Sequence, residues 1–175
     1  MADADPSTGA ELLALVDSAH EELEVALAGL SREQLTRPGL EGSWAVKDCL
    51  AHLSFWEELM LWRLEPALRG EGPGPAPAEL EGVPEVRWTP ELIDEVNRRA
   101  FEARRGLSLE EVTKDFSATF QRVRAAVGSI GDATSGSPLS TFLGGSPAAA
   151  VGPDTHEHYK EHAAQVRAWR EAGAG

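Results

Sequence analysis

Apolar residues recur at three- and four-residue spacing through most of this chain, and no stretch alternates apolar with polar residues. That spacing is the period of a helix, so the sequence predicts an all-α protein. The clearest case is Val112, Phe116, Phe120, Val123, Val127 and Ile130, preceded by Ser108-Leu-Glu-Glu111, a capping box. Leu13, Val16, His20, Leu23, Leu27 and Leu30 form a similar stripe on a first helix over about 11–30, which Ser7 or Thr8 can cap. A second helix over about 44–69, with Ser43 as cap, carries Val46, Cys49, Leu53, Trp56, Met60 and Leu64. Thr89-Pro90 opens a third that stops before Gly106, with Leu92, Ile93, Val96, Ala100 and Phe101 on its apolar face. Ser146-Pro147 starts a short helix through Val151, and Gly152-Pro153 interrupts it. The last helix follows, opened by Asp154 and Thr155 and free of Gly and Pro to Trp169.

Residues 70–78 are too rich in Gly and Pro for regular structure. They read as a connection running the long way along a bundle, because the helices on either side are too few to close a core alone. The expected organisation is one four-helix bundle domain over 8–171, between a disordered lead, 1–7, and a disordered tail, 172–175. The loop over 131–145 carries Phe142 and Leu143, which can tuck over a pocket.

Composition sets limits on function. The chain has 175 residues, 42% of them hydrophobic, enough for a real core. No apolar run approaches ~18 residues, so no membrane span is expected. The acidic start lacks a secretory pattern, and a cytoplasmic protein is expected. The net charge of −13 repels phosphate backbones, so no nucleic-acid partner is expected. Cys49 is the only cysteine; on an apolar stripe, it reads as a small hydrophobe rather than a nucleophile.

Histidines carry the chemistry. His158, His162, Gln165, Val166 and Trp169 share one face of the last helix, so two imidazoles four residues apart stand in the stripe that faces the core. Such a pair can grip one metal ion, or can be two structural imidazoles hydrogen-bonded inside a bundle. His52, on the flank of the second helix, is the third candidate ligand. Three protein ligands leave a coordination position open for water or substrate. His20 reads as a satisfied core histidine. Glu57 falls among apolar positions and needs a partner or a wet cavity. Asn97 stands beside the apolar face of its helix, pointing either into a cleft or to solvent.

Three segments resemble a known family. Gly42 to Glu57, Gly-Ser-Trp-Ala-Val-Lys-Asp-Cys-Leu-Ala-His-Leu-Ser-Phe-Trp-Glu, is similar to the second-helix signature of DinB-like four-helix bundles. Val96 to Phe116 and Asp154 to His162 resemble the middle segment and last helix of the ClbS/DfsB group, in the same order. The resemblance implies a bundle with a long, up-up-down-down-like crossover and short extra helices. In its metal-binding members one histidine comes from the second helix and an HxxxH pair from the last. Those positions here are His52, His158 and His162, with zinc, nickel and iron all compatible. His156 stands where relatives often carry Tyr, and Gly152-Pro153 departs from a more continuous helix.

The ClbS-like branch is associated with self-protection against a DNA-alkylating natural product through hydrolysis of its cyclopropane ring; other superfamily members resemble thiol-dependent transferases. The resulting expectation is a metal-binding hydrolase that detoxifies a small-molecule electrophile at one end of the bundle, with Glu57, Asn97 and Tyr159 as candidates for proton transfer or orientation. A low-molecular-weight-thiol S-transferase and a non-catalytic binding protein are the alternatives. Bundles of this kind often pair, so a homodimer is open as a further partner.

Overall fold

The computed structural model describes residues 5–83 and 88–174. Part of the expected lead, 1–4, and residue 175 of the expected tail lie outside the described residues. Among the described residues there are helices and turns but no strand. The long helices are α1 (Gly9–Leu27), α3 (Val46–Leu68), α4 (Pro90–Arg104), α5 (Leu109–Gly128) and α8 (His156–Trp169). Between them lie the short helices α2 (Arg32–Thr36), α6 (Ser140–Leu143) and α7 (Pro147–Val151).

The starts follow local chemistry. Thr8 and Glu11 form a reciprocal capping box at α1, as Ser108 and Glu111 do at α5. The start of α3 differs from the expected Ser43 cap. Trp44 N–H donates to the Glu41 carbonyl in a tight turn, and Gly42 sits there at φ +56°, where a side chain would be strained. The helix therefore begins two residues later, at Val46, and the Asp48 carboxylate accepts from the Ala45 N–H at 2.9 Å.

Four helices form the bundle, α1, α5, α3 and α8 in order around it, so that α1 and α3 lie diagonally. Pairings along the helices give their directions. Arg124 meets Asp17, and Arg32 beyond α1 meets Glu110 at the start of α5, so α1 and α5 are antiparallel. Lys47 reaches the Leu107 carbonyl and Glu65 pairs with Arg122, so α3 and α5 are parallel. Glu41 meets Gln165 and His52 meets His158, so α3 and α8 are antiparallel. The order is up, down, down, up. The long crossover joins α3 to α5, which corrects the up-up-down-down-like order.

That crossover contains α4, which is not a fourth side of the bundle. It lies antiparallel on the outer face of α3, with Trp44 stacked on Phe101 and Trp56 bonded to Asn97. Val96 and Ala100 are its buried positions, and they join Phe55, Trp56, Leu59 and Leu80 in a satellite core. The main core packs Leu12, Val16 and Leu23 of α1 against Val123 and Val127 of α5, Leu53 and Leu61 of α3, and Ala163 and Val166 of α8. Cys49 is buried within it, and burial pushes its thiol well up, which suits an inert hydrophobe. His20 stacks on Phe120 with ring centroids 3.5 Å apart, and burial holds its imidazole below the usual range. No helix among the described residues is long and apolar enough to cross a membrane.

Candidate metal centre

The groove between α3 and α8, roofed by α4, holds the three histidines. His52 projects from the first half of α3. His158 and His162 project from successive turns of α8, one above the other as the four-residue spacing requires. Their candidate ligand atoms all lie within 4.8 Å of one another. The Nε2 atoms of His52 and His158 are 3.0 Å apart. Two nitrogens bound to one ion at ~2.1 Å stand roughly 3.0 Å apart at a right angle and about 3.4 Å apart at the tetrahedral angle. The His52–His158 pair thus fits a single divalent ion, with the His162 donor within 4.8 Å of both. The same separation also serves an N–H···N bond between two neutral imidazoles.

His162 shows how the set is oriented. Its Nδ1 lies 2.8 Å from the Gln165 Oε1, so Nδ1–H donates to that amide and the Nε2 lone pair is left for the centre. Gln165 in turn donates to a Glu41 carboxylate oxygen at 2.6 Å. Such outer partners fix the tautomer and ring plane of a ligating histidine. Trp44 packs edge-on against His52, with centroids 5.2 Å apart. Burial, reinforced by the neighbouring imidazoles, lowers His52 to about 2 and His158 to about 3. Both rings are neutral at physiological pH, the state in which imidazole binds metal.

The histidines line a cavity of about 600 Å³ that also receives Glu41, Trp44, Trp56, Asn97 and Asp154. Ile93 and Asn97 line it too, so α4 forms part of the wall of the site. Asn97 faces this cavity, its Oδ1 accepting from the Trp56 indole N–H at 3.0 Å. Glu57 and Tyr159 do not reach it. Both are 0% exposed, and the Tyr159 hydroxyl donates to Glu57 Oε1 inside the core. Tyr159 is about 100° around α8 from His158, which turns it inward. Burial pushes Glu57 up to about 8, with the Tyr159 and Thr119 hydrogen bonds pulling the other way.

From sequence alone, Asp154 is only a helix-start residue. Gly152–Asp154 is a tight 3₁₀ turn joining α7 to α8, and Asp154 becomes a wall of the cavity. Burial pushes its carboxyl up to about 7, against the pull of Arg63. The signal missed was Gly152-Pro153: a break in the helix re-aims the next side chain instead of merely ending an element. His156 lies outside the three-histidine set.

A family model described as DinB superfamily matches residues 15–166. No curated protein matches the sequence. Among solved structures, the colibactin self-resistance protein ClbS in complex with dsDNA aligns with a TM-score of 0.74 at 15% identity, over 95% of this chain and 98% of that one. DfsB, described as a sibling lethal factor precursor, aligns with a TM-score of 0.74 at 16% identity, over 96% and 98%. An uncharacterised Escherichia coli UTI89 protein aligns with a TM-score of 0.74 at 18% identity, over 97% and 96%. A protein of this fold is therefore described with duplex DNA bound. That overturns the exclusion of a nucleic-acid partner drawn from net charge, because net charge sums the whole surface and does not describe the face that meets a ligand. With the family match running across most of its length and the fold shared end to end with these structures, the chain belongs to the DinB superfamily.

Proposed function

We propose that this protein is a metal-dependent enzyme that detoxifies an electrophilic small molecule, with hydrolysis of a strained ring as the reaction class. The observation that carries this reading is the convergence of three imidazoles, from α3 and α8, on the wall of an open cavity. His52, His158 and His162 would hold a divalent ion, and zinc, nickel and iron all accept three imidazoles. Such an ion would supply Lewis-acid activation at its open position.

The chain's own residues divide the remaining work. Asp154, with a carboxyl near neutrality, takes the proton of the attacking water in the cavity. Asn97 has its carbonyl oxygen held by Trp56, which leaves the amide N–H groups to orient the substrate. Trp44 and Trp56 supply apolar wall and limit water. Glu57 and Tyr159 act as positioning residues, because their hydrogen bond ties the two ligand-bearing helices together. The description of ClbS as a self-resistance protein supports detoxification as the biological setting.

The test is turnover of an activated cyclopropane by metal-loaded protein, with and without chelator, added low-molecular-weight thiol, and duplex DNA. Ring-opened hydrolysis product, lost with chelator and in Asp154→Asn, is expected. Turnover that needs the thiol and yields a thioether would instead identify a transferase. Equal turnover in His52→Ala would remove the assignment.

A further inference from the structure

A second cavity, of about 410 Å³, adjoins the histidine cavity, and Trp56, Ile93, Pro153 and Asp154 border both. The two form one bent cleft. A volume of this size lies within the range of small-molecule sites. The second arm differs in chemistry from the first. Trp56 and Trp88 form one wall, with ring centroids 5.4 Å apart and planes at 58°. Ile93, Leu143 and Ala150 supply further apolar surface. Trp88 lines this arm and is 38% exposed.

Among the described residues, Arg63 is the cation that lines this arm. One of its N–H groups donates to the Leu143 carbonyl at 2.7 Å, which pins the loop that closes the cavity. Asp154 stands near enough for Arg63 to act on its charge. The two side chains offset each other, so the arm favours a neutral group over a net anion. A carbonyl oxygen can accept from the guanidinium, whereas a carboxylate would also meet Asp154.

We infer that this arm is the specificity subsite: it seats a flat apolar body bearing an uncharged carbonyl, such as an aryl amide, while the substrate's reactive end lies against His52, His158 and His162. The inference rests on the reading of the histidine cavity as the reacting end. It makes the substrate an elongated, amphiphilic electrophile rather than a compact polar one.

The probe is 2-naphthamide, with 2-naphthoate and naphthalene as comparisons, titrated calorimetrically into the cobalt-loaded full chain. Binding of the amide at least ~10-fold tighter than of the carboxylate is expected, the scale of one hydrogen bond plus an avoided charge clash. Ala150→Trp fills the arm and should weaken the amide by at least ~10-fold. Arg63→Met keeps the stem and should erase the preference for amide over naphthalene. Equal binding in Ala150→Trp with an unchanged fold would overturn the inference. Should that variant not fold, an amide preference that survives in Arg63→Met would overturn it instead. Cobalt absorbance in the same samples separates the two claims. Cobalt bound without naphthamide sinks the subsite alone. Naphthamide bound without cobalt sinks the metal reading and leaves the subsite.

Discussion

The Tyr159 hydroxyl donates to the Glu57 carboxyl in the middle of the core, joining the helix that carries His158 and His162 to the helix that carries His52. The geometry of the three imidazoles therefore depends on a buried pair that touches none of them. Tyr159→Phe keeps the ring packing and removes the donor. It should cost about 1–3 kcal/mol of stability, since a buried acceptor loses its partner. It should also weaken metal binding measurably. Thermal unfolding and a cobalt titration check the two parts, and unchanged values in both would show that the pair does not hold the helices in register.

The pH dependence of stability follows from the same carboxyl. Glu57 is raised from 4.5 to about 8 in the folded protein, so its neutral form is favoured there. Its contribution is full below the unfolded value and is lost as pH rises through about 8. Asp154, raised from 3.8 to about 7, acts in the same direction over a slightly lower range. The depressed histidines, His20, His52, His156 and His158, act oppositely, removing stability as pH falls through about 6.5. Metal-free protein should therefore be most stable near pH 6.5 and should lose stability toward pH 8, with a slope of at most about 1.4 kcal/mol per pH unit from each carboxyl. Glu57→Gln should flatten the slope between pH 7 and 8. Urea midpoints across that range, unchanged in slope by the substitution, would contradict the assignment.

Much of this was legible in the sequence and some was not, for physical reasons. Helix period and capping boxes placed α1 and α5 to within a few residues, because Thr8 and Ser108 act on their own next turn. The His158 and His162 pair was legible because four-residue spacing is itself a geometry. That His52 joins them depends on α3 running antiparallel to α8, a tertiary fact that the family resemblance carried and periodicity did not. Glu57 was legible as buried, but whether it faced the cavity or the core turns on a fraction of a helical turn. The flanking place of α4 was hidden because its apolar face looks like that of any bundle helix. Asp154 was hidden by reading Gly152-Pro153 as a mere interruption.

Gly9 offers a test of the fold alone. A Cβ there would stand 1.9 Å from the Ile130 carbonyl oxygen, backbone that cannot swing away. The Gly9 N–H also faces the Gly131 carbonyl, and the Ala133 N–H donates to Ser7, so the start of α1 is stitched to the segment after α5. Gly9→Ala should destabilise by about 1–3 kcal/mol, the usual cost of forcing atoms into filled space. A melting temperature equal to that of the parent would show that this junction yields.

The outer shell of the centre makes a separate prediction. Gln165 accepts from His162 and passes the interaction to Glu41. Gln165→Ala frees the imidazole to rotate and change tautomer, and should lower metal affinity by about 10–100-fold with little change in stability. Competition against a chelator of known affinity measures it. An unaltered affinity would mean that Trp44 and backbone packing suffice to orient the ligands.

X-ray absorption at the edge of the bound metal tests the central claim most directly. One ion per chain, with three imidazole nitrogens at about 2.0–2.1 Å and the signal lost in His158→Ala, is the predicted result. Reconstituted protein that holds no ion, or holds one whose nearest shell lacks imidazole, would contradict it.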